Sequence, residues 1–64
     1  MLRLPLTPGS EHITRNTETA LVVCVSYPGY VCGMTDSDNM CTWVMETGEN
    51  VVPGESRYDI VDSR

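Results

Sequence analysis

The stretch TALVVCVSY, residues 19–27, decides the fold. It is rich in β-branched residues and bounded by turn chemistry, with Arg15-Asn16 upstream and Pro28-Gly29 downstream, which reads as a strand. Extended backbone alternates its side chains between two faces. Leu21, Val23, Val25 and Tyr27 then share one face, and Ala20, Val22, Cys24 and Ser26 the other. Both faces are largely apolar. A half-exposed strand alternates apolar with polar, so this one is expected at the centre of a sheet or in a subunit interface.

The reading extends outward in both directions. Upstream, His12-Ile13-Thr14 starts a strand, and Arg15-Asn16 begins a turn in which Asn tolerates positive φ. Downstream, YVCGM (30–34) is a second strand and TDSDN (35–39) a polar hairpin tip. MCTWVMET (40–47) completes a meander, with Trp43 directed inward beside Cys41 and Met45. Gly48 turns the chain, NVV (50–52) forms a short strand closed by Pro53-Gly54, and RYDIVD (57–62) is the last strand. Its period of two places Tyr58 and Ile60 on one face, Asp59 and Val61 on the other. No segment carries a 3.6-residue apolar period behind a helix cap. The expectation is all-β: a small SH3-like or OB-like barrel of about five short antiparallel strands. Residues 1–10, MLRLPLTPGS, form an extended N-terminal arm, and residues 11–64 a single β domain. Pro5-Leu6-Thr7-Pro8 matches a P-x-x-P pattern; an arm packed over one end of the barrel is the preferred reading.

Sixty-four residues make one domain. A chain of this size buries only roughly 60% of its unfolded surface, so its core is marginal. Disulfides, a metal or partner subunits usually make up the difference. Cys24, Cys32 and Cys41 are odd in number, no C-x-x-C occurs, and His12 is the single imidazole. A closed disulfide framework leaves one thiol over, and a four-ligand zinc site lacks its ligands. Three reduced, mostly buried thiols in a cytosolic protein are expected, with self-association into a homo-oligomer as the further source of stability. Met1-Leu2-Arg3-Leu4 runs into Pro5 without an apolar signal region. The longest apolar run, residues 20–25, is far too short to cross a bilayer. A soluble intracellular protein with no membrane partner is expected.

Nine acidic residues face four basic ones, all arginine, for a net charge of -5. This composition lacks the basic footprint for duplex nucleic acid. An acidic surface suits a basic protein partner, whereas a few arginines suit bidentate contact with phosphate.

Little in the chain points to catalysis. Asp36-Ser37-Asp38-Asn39 resembles the start of a calcium loop but lacks the Gly and Glu that such a loop needs further on. A Cys–His pair has only His12 to draw on, and no third group stands at recognisable spacing. Glu46 and Glu49 lie in a turn and read as solvated charge, and no glycine-rich phosphate loop is present. A binder is expected, not an enzyme, with no cofactor and no metal. Its candidate ligand-binding residues are Arg15, Trp43, Arg57 and Tyr58, arginines for phosphate and aromatic rings for a flat group.

In order, the chain has Thr14-Arg15-Asn16, a β-branched strand, Thr42-Trp43, the Gly48 turn, and Ser56 with Tyr58-Asp59-Ile60-Val61. Across residues 12–62 this resembles a loose group of very small accessory proteins encoded by tailed phages and prophages. Those proteins carry a Thr-Arg-Asp-Gly-like hairpin, a later Trp followed by a Gly turn, and a closing aromatic-Asp-Ile/Leu-Val. Thr17 stands where the group has Gly, and the three cysteines lie outside its pattern. The resemblance implies a phage accessory protein acting in the host cytoplasm against host machinery. One form of it is an oligomer that sequesters a small, phosphate-bearing, nucleotide-like ligand used in antiviral defence. The alternative is an acidic inhibitor in which Asp36, Asp38, Glu46 and Glu49, on neighbouring turns, cover a basic groove of a host protein.

Overall fold

A computed structural model describes all of residues 1–64. Five strands form one antiparallel sheet: β1 (Glu11–Thr14), β2 (Thr19–Tyr27), β3 (Tyr30–Thr35), β4 (Met40–Val44) and β5 (Ile60–Ser63). The spatial order is β4-β3-β2-β1-β5. The sheet curls into a half-barrel, in keeping with the small barrel expected from the sequence. The two outermost strands do not pair with each other. Residues 48–60 span the gap, through Ile60 N–H to Gly48 O (2.8 Å) and Asn50 N–H to Asp59 Oδ1 (2.8 Å).

The core inside the curl is Leu6, Ala20, Val22, Val31, Cys41, Trp43 and Ile60. Trp43 is wholly buried, and its indole N–H, which needs a partner once buried, donates to the Tyr58 carbonyl at 2.8 Å. Cys41 is buried beside it and Met45 packs against the cluster. The arm has no strand of its own, yet it is built into the fold. Leu6 is fully buried, and Leu6 N–H reaches Met45 O at 2.8 Å.

The first and third hairpins turn in the same way. Thr17 N–H bonds Thr14 O, and Asp38 N–H bonds Thr35 O. Thr14 N–H then bonds Glu18 O, and Thr35 N–H bonds Asn39 O. Each is a type I turn followed by a left-handed residue, Thr17 at φ 69° and Asp38 at φ 61°. The two tips dock on each other. Glu18 accepts from the Ser37 N–H (3.0 Å) and hydroxyl (2.6 Å), and Asp36 Oδ2 accepts Thr19 N–H (2.9 Å). The Ser37 hydroxyl foremost, then the Asn16 side-chain amide that donates to Glu18 Oε2 at 2.7 Å, hold the Glu18 carboxyl below its usual range.

The long strand β2 is interior to the sheet, but it is not simply alternating. A register shift between Val22 and Cys24, and another between Val25 and Tyr27, interrupt its pairing with β3. A bulge moves every later side chain to the other face. Cys24 therefore stands opposite Cys32, on the outside of the curl, and not inward with Ala20 and Val22 as strict alternation predicts. Gly33 lies opposite Val22, where a Cβ would come within 1.9 Å of the Leu21 carbonyl oxygen; no other residue fits this close approach.

Two expectations for the C-terminal third require correction. Residues 50–52 make no strand, only a single bridge, Trp43 to Asn50. The last strand begins at Ile60 rather than at residue 57, because Ser56–Tyr58 forms one turn of 3-10 helix. That turn brings the Tyr58 carbonyl to Trp43, a bond that an extended segment on the period-two pattern does not provide.

Candidate functional site

Each expected ligand residue is placed around the Ser56–Tyr58 turn, but not in one cavity. Trp43 lies beneath it with no surface open to a ligand. Arg15 donates from Nε to Ser56 O (3.3 Å) and pairs with Asp59 (3.6 Å). Arg57 pairs with Glu55 (3.0 Å) and lies over the Tyr58 ring at 5.0 Å from its centroid; the contact with Tyr58 and the Glu55 charge hold its guanidinium above the ordinary value. Arg57 and Tyr58 do share a small cleft of about 280 Å³ with Asn39, whose side chain donates to the Tyr58 hydroxyl at 2.8 Å. Both arginines here are already neutralised by a carboxylate.

The other two arginines are not. Arg3 and Arg64 make no ion pair, and both line a larger cleft of about 520 Å³ between the arm and β5. Ser10, Glu11, His12 and Ser63 line the same cleft, and no large hydrophobic side chain does. The fold builds it from both ends of the chain. β1 pairs with β5 so that His12 stands opposite Ser63, and the arm bends back over them with Arg3 N–H donating to Ser63 Oγ at 2.7 Å.

His12 is the centre of this arrangement and is buried. Nδ1 is 2.8 Å from Ser63 Oγ and Nε2 is 2.7 Å from Ser10 Oγ. Ser10 gives its single hydroxyl proton to Thr7 O at 2.5 Å. It must therefore accept from His12, which places the ring proton on Nε2. Nδ1 is then the acceptor for the Ser63 hydroxyl, while Ser63 accepts from Arg3. A continuous chain of hydrogen bonds runs from Arg3 N–H through Ser63 Oγ–H, His12 and Ser10 Oγ–H to the Thr7 carbonyl, which accepts the last. The imidazole is neutral, and burial pushes its pKa below the ordinary value. Both ring nitrogens are committed to hydroxyls, and no carboxylate backs the ring.

Sequence reading missed Arg3, Ser10, Ser63 and Arg64 because the cleft joins positions some 60 residues apart. One signal was present: Arg3 has no acidic residue near it in sequence, unlike Arg57 two positions from Glu55. The four acidic residues expected on neighbouring turns are not gathered. Asp36 and Asp38 lie before β4, Glu46 and Glu49 after it, at opposite ends of a strand about 17 Å long. No helix is long and apolar enough to cross a membrane. No protein-family model, no curated protein and no solved structure matches the chain.

Proposed function

We propose that this chain is a non-enzymatic binder of a small phosphate-bearing ligand, a phage accessory protein that sequesters a nucleotide-like signal in the host cytoplasm. The observation that carries the reading is the pairing state of the arginines. Two of four are spent on carboxylates, and the two free ones line a single polar cleft with two seryl hydroxyls. Unpaired guanidinium groups suit phosphate oxygens, which they bind with directional, charge-assisted hydrogen bonds. The arginines expected from the sequence to do this, Arg15 and Arg57, are the paired ones; Arg3 and Arg64 take the role in their place.

Self-association belongs to the same proposal. β1 covers β2 only as far as Leu21, and the arm covers Val22 through Gly9 N–H to Val22 O (2.8 Å) and Val22 N–H to Ser10 O (3.0 Å). Residues 23–27 pair with β3 alone and leave the other backbone edge open, beside exposed Val23, Val25 and Tyr27. An open, uncharged, apolar edge is a template for another strand. The same segment of a second copy, running antiparallel, satisfies it symmetrically. Such a copy abuts the arm at Gly9 and Ser10, which line the cleft, and so sets the cleft at a subunit junction.

Calorimetry of the full chain against cyclic and linear nucleotides, with native mass measured in parallel, tests both parts. Heat with at least one nucleotide, lost in the R3A/R64A double variant and retained in R15A, is expected. Absence of heat with every nucleotide, from a verified oligomer, overturns the ligand reading. A protomer mass at working concentration overturns the assembly.

A further inference from the structure

Cys24 and Cys32 are register partners on neighbouring antiparallel strands, and their sulfurs lie 2.9 Å apart. Residues opposite one another in such a pair have Cα atoms about 4.5–5.5 Å apart, inside the range of roughly 4.4–6.8 Å that a disulfide spans. The bulge at Val23 makes the meeting possible. Without it Cys24 faces the core with Val22, and Cys32 stays outside. Cys24 is exposed and Cys32 half-buried, so a small reagent reaches the pair. Cys41, the third thiol, is buried on the inner face of β4 opposite Gly33 and takes no part. The odd cysteine count thus resolves into a facing pair and a core thiol.

We infer that Cys24 and Cys32 form a reversible dithiol–disulfide site whose co-substrate is a low-molecular-weight disulfide. One thiolate attacks that disulfide, forms a mixed disulfide and releases one small thiol. The second thiol then attacks the protein sulfur of the mixed disulfide, closing the Cys24–Cys32 bond and releasing the second small thiol. The protein loses two electrons and two protons, and the small disulfide gains both to become two thiols. The new bond ties the open-edged half of β2 to β3 across the Pro28-Gly29 turn. It constrains a short loop, which restricts the unfolded chain and stabilises the folded one. The site stands independently of the ligand reading.

The test uses the full chain and oxidised glutathione, at protein concentrations low enough for free protomer. Intact mass after alkylation in denaturant, peptide mapping and thermal melting are read together. The expected product has lost two hydrogens, keeps Cys41 as its single alkylated cysteine, and melts roughly 10 °C higher, all reversed by dithiothreitol. C24S and C32S, changed at positions that lie outside the core, should each fold and show no rise in melting temperature. A mixed glutathione adduct that persists in the unaltered chain overturns the inference. So does a bond to Cys41, a link between protomers, or thiols that remain unreacted while the unfolded chain oxidises.

Discussion

Residues 19–22 and 23–27 of β2 are continuous in sequence and similar in residue type, but they meet different surroundings. In the first half, Ala20 and Val22 are fully buried while Leu21 faces out, and both backbone edges are bonded. In the second half every residue is exposed, and one edge is open. The difference arises where β1 ends and where the bulge falls. Hydrophobic side chains alone do not decide burial; a strand is buried only over the length that its neighbours cover.

The largest expected effect lies opposite the covered half. Gly33→Ala puts a methyl group into the Leu21 carbonyl, against backbone that is bonded on both sides. A cost of about 4 kcal/mol is expected, comparable to the whole stability of a domain this small. Circular dichroism should show a largely unfolded chain at room temperature, and a native urea transition for this variant breaks the account of the close approach. The next effect compares the two halves directly. Val22→Ala should cost about 2 kcal/mol by emptying a filled core position, while Val25→Ala should cost less than about 0.5 kcal/mol. Equal shifts of the urea midpoint sink the distinction. Val25→Lys sharpens it and tests the proposed assembly: the fold is expected to be retained, and if a second copy pairs with the open edge as proposed, the added charge should leave only the protomer mass.

The sequence carried the covered half better than the open one. The meander was legible because β-branched runs and Pro-Gly or Asp-Asn turns are local signals, and Trp43 with Cys41 points inward as its period requires, although its third strand ends at Val44 rather than at residue 47, where the chain already turns. The bulges in β2 were not legible, since a bulge is set by a cross-strand partner and not by local composition. That one shift moved Cys24 to the outer face and opposed it to Cys32. Residues 57–59 carry a good strand pattern, yet the Trp43 indole draws the Tyr58 carbonyl into a 3-10 turn, a tertiary demand that overrides propensity. The cleft was the least legible part. Of its polar lining only His12 stood out in sequence, and its partners come from both ends of the chain.

A pH series probes the covered side, where β1 holds His12. The folded ring is neutral with a lowered pKa, so the unfolded chain binds its proton first, near the ordinary value of 6.5. Stability is therefore full above that pH and falls as pH drops below it toward the folded value. A second loss follows at lower pH. Glu18, held low by Ser37 and Asn16, contributes stability above its ordinary value of 4.5 that disappears as pH falls through the folded value. Urea midpoints from pH 8 to 3 should fall in these two stages. In His12→Gln the step near 6.5 should vanish while the acidic one remains; a step near 6.5 that survives the substitution belongs to another group.

The smallest expected effect concerns the turn that feeds the covered half. Thr17 and Asp38 hold the same left-handed position in two hairpins of the same type, where glycine carries no steric penalty. Threonine is β-branched and poorly suited to positive φ, whereas Asp tolerates it more readily. Thr17→Gly should therefore stabilise by about 0.5–1 kcal/mol, despite the added freedom of the unfolded chain. Asp38→Gly should change stability by less than about 0.5 kcal/mol, since Asp has less strain to relieve. Thr17 also bonds the Asn16 carbonyl through its hydroxyl at 2.6 Å, a contact that glycine gives up. If the hydroxyl outweighs the strain, Thr17→Gly destabilises and the order of the two variants reverses. Thermal melts of the pair therefore decide whether strain or a local hydrogen bond governs the entry to β2.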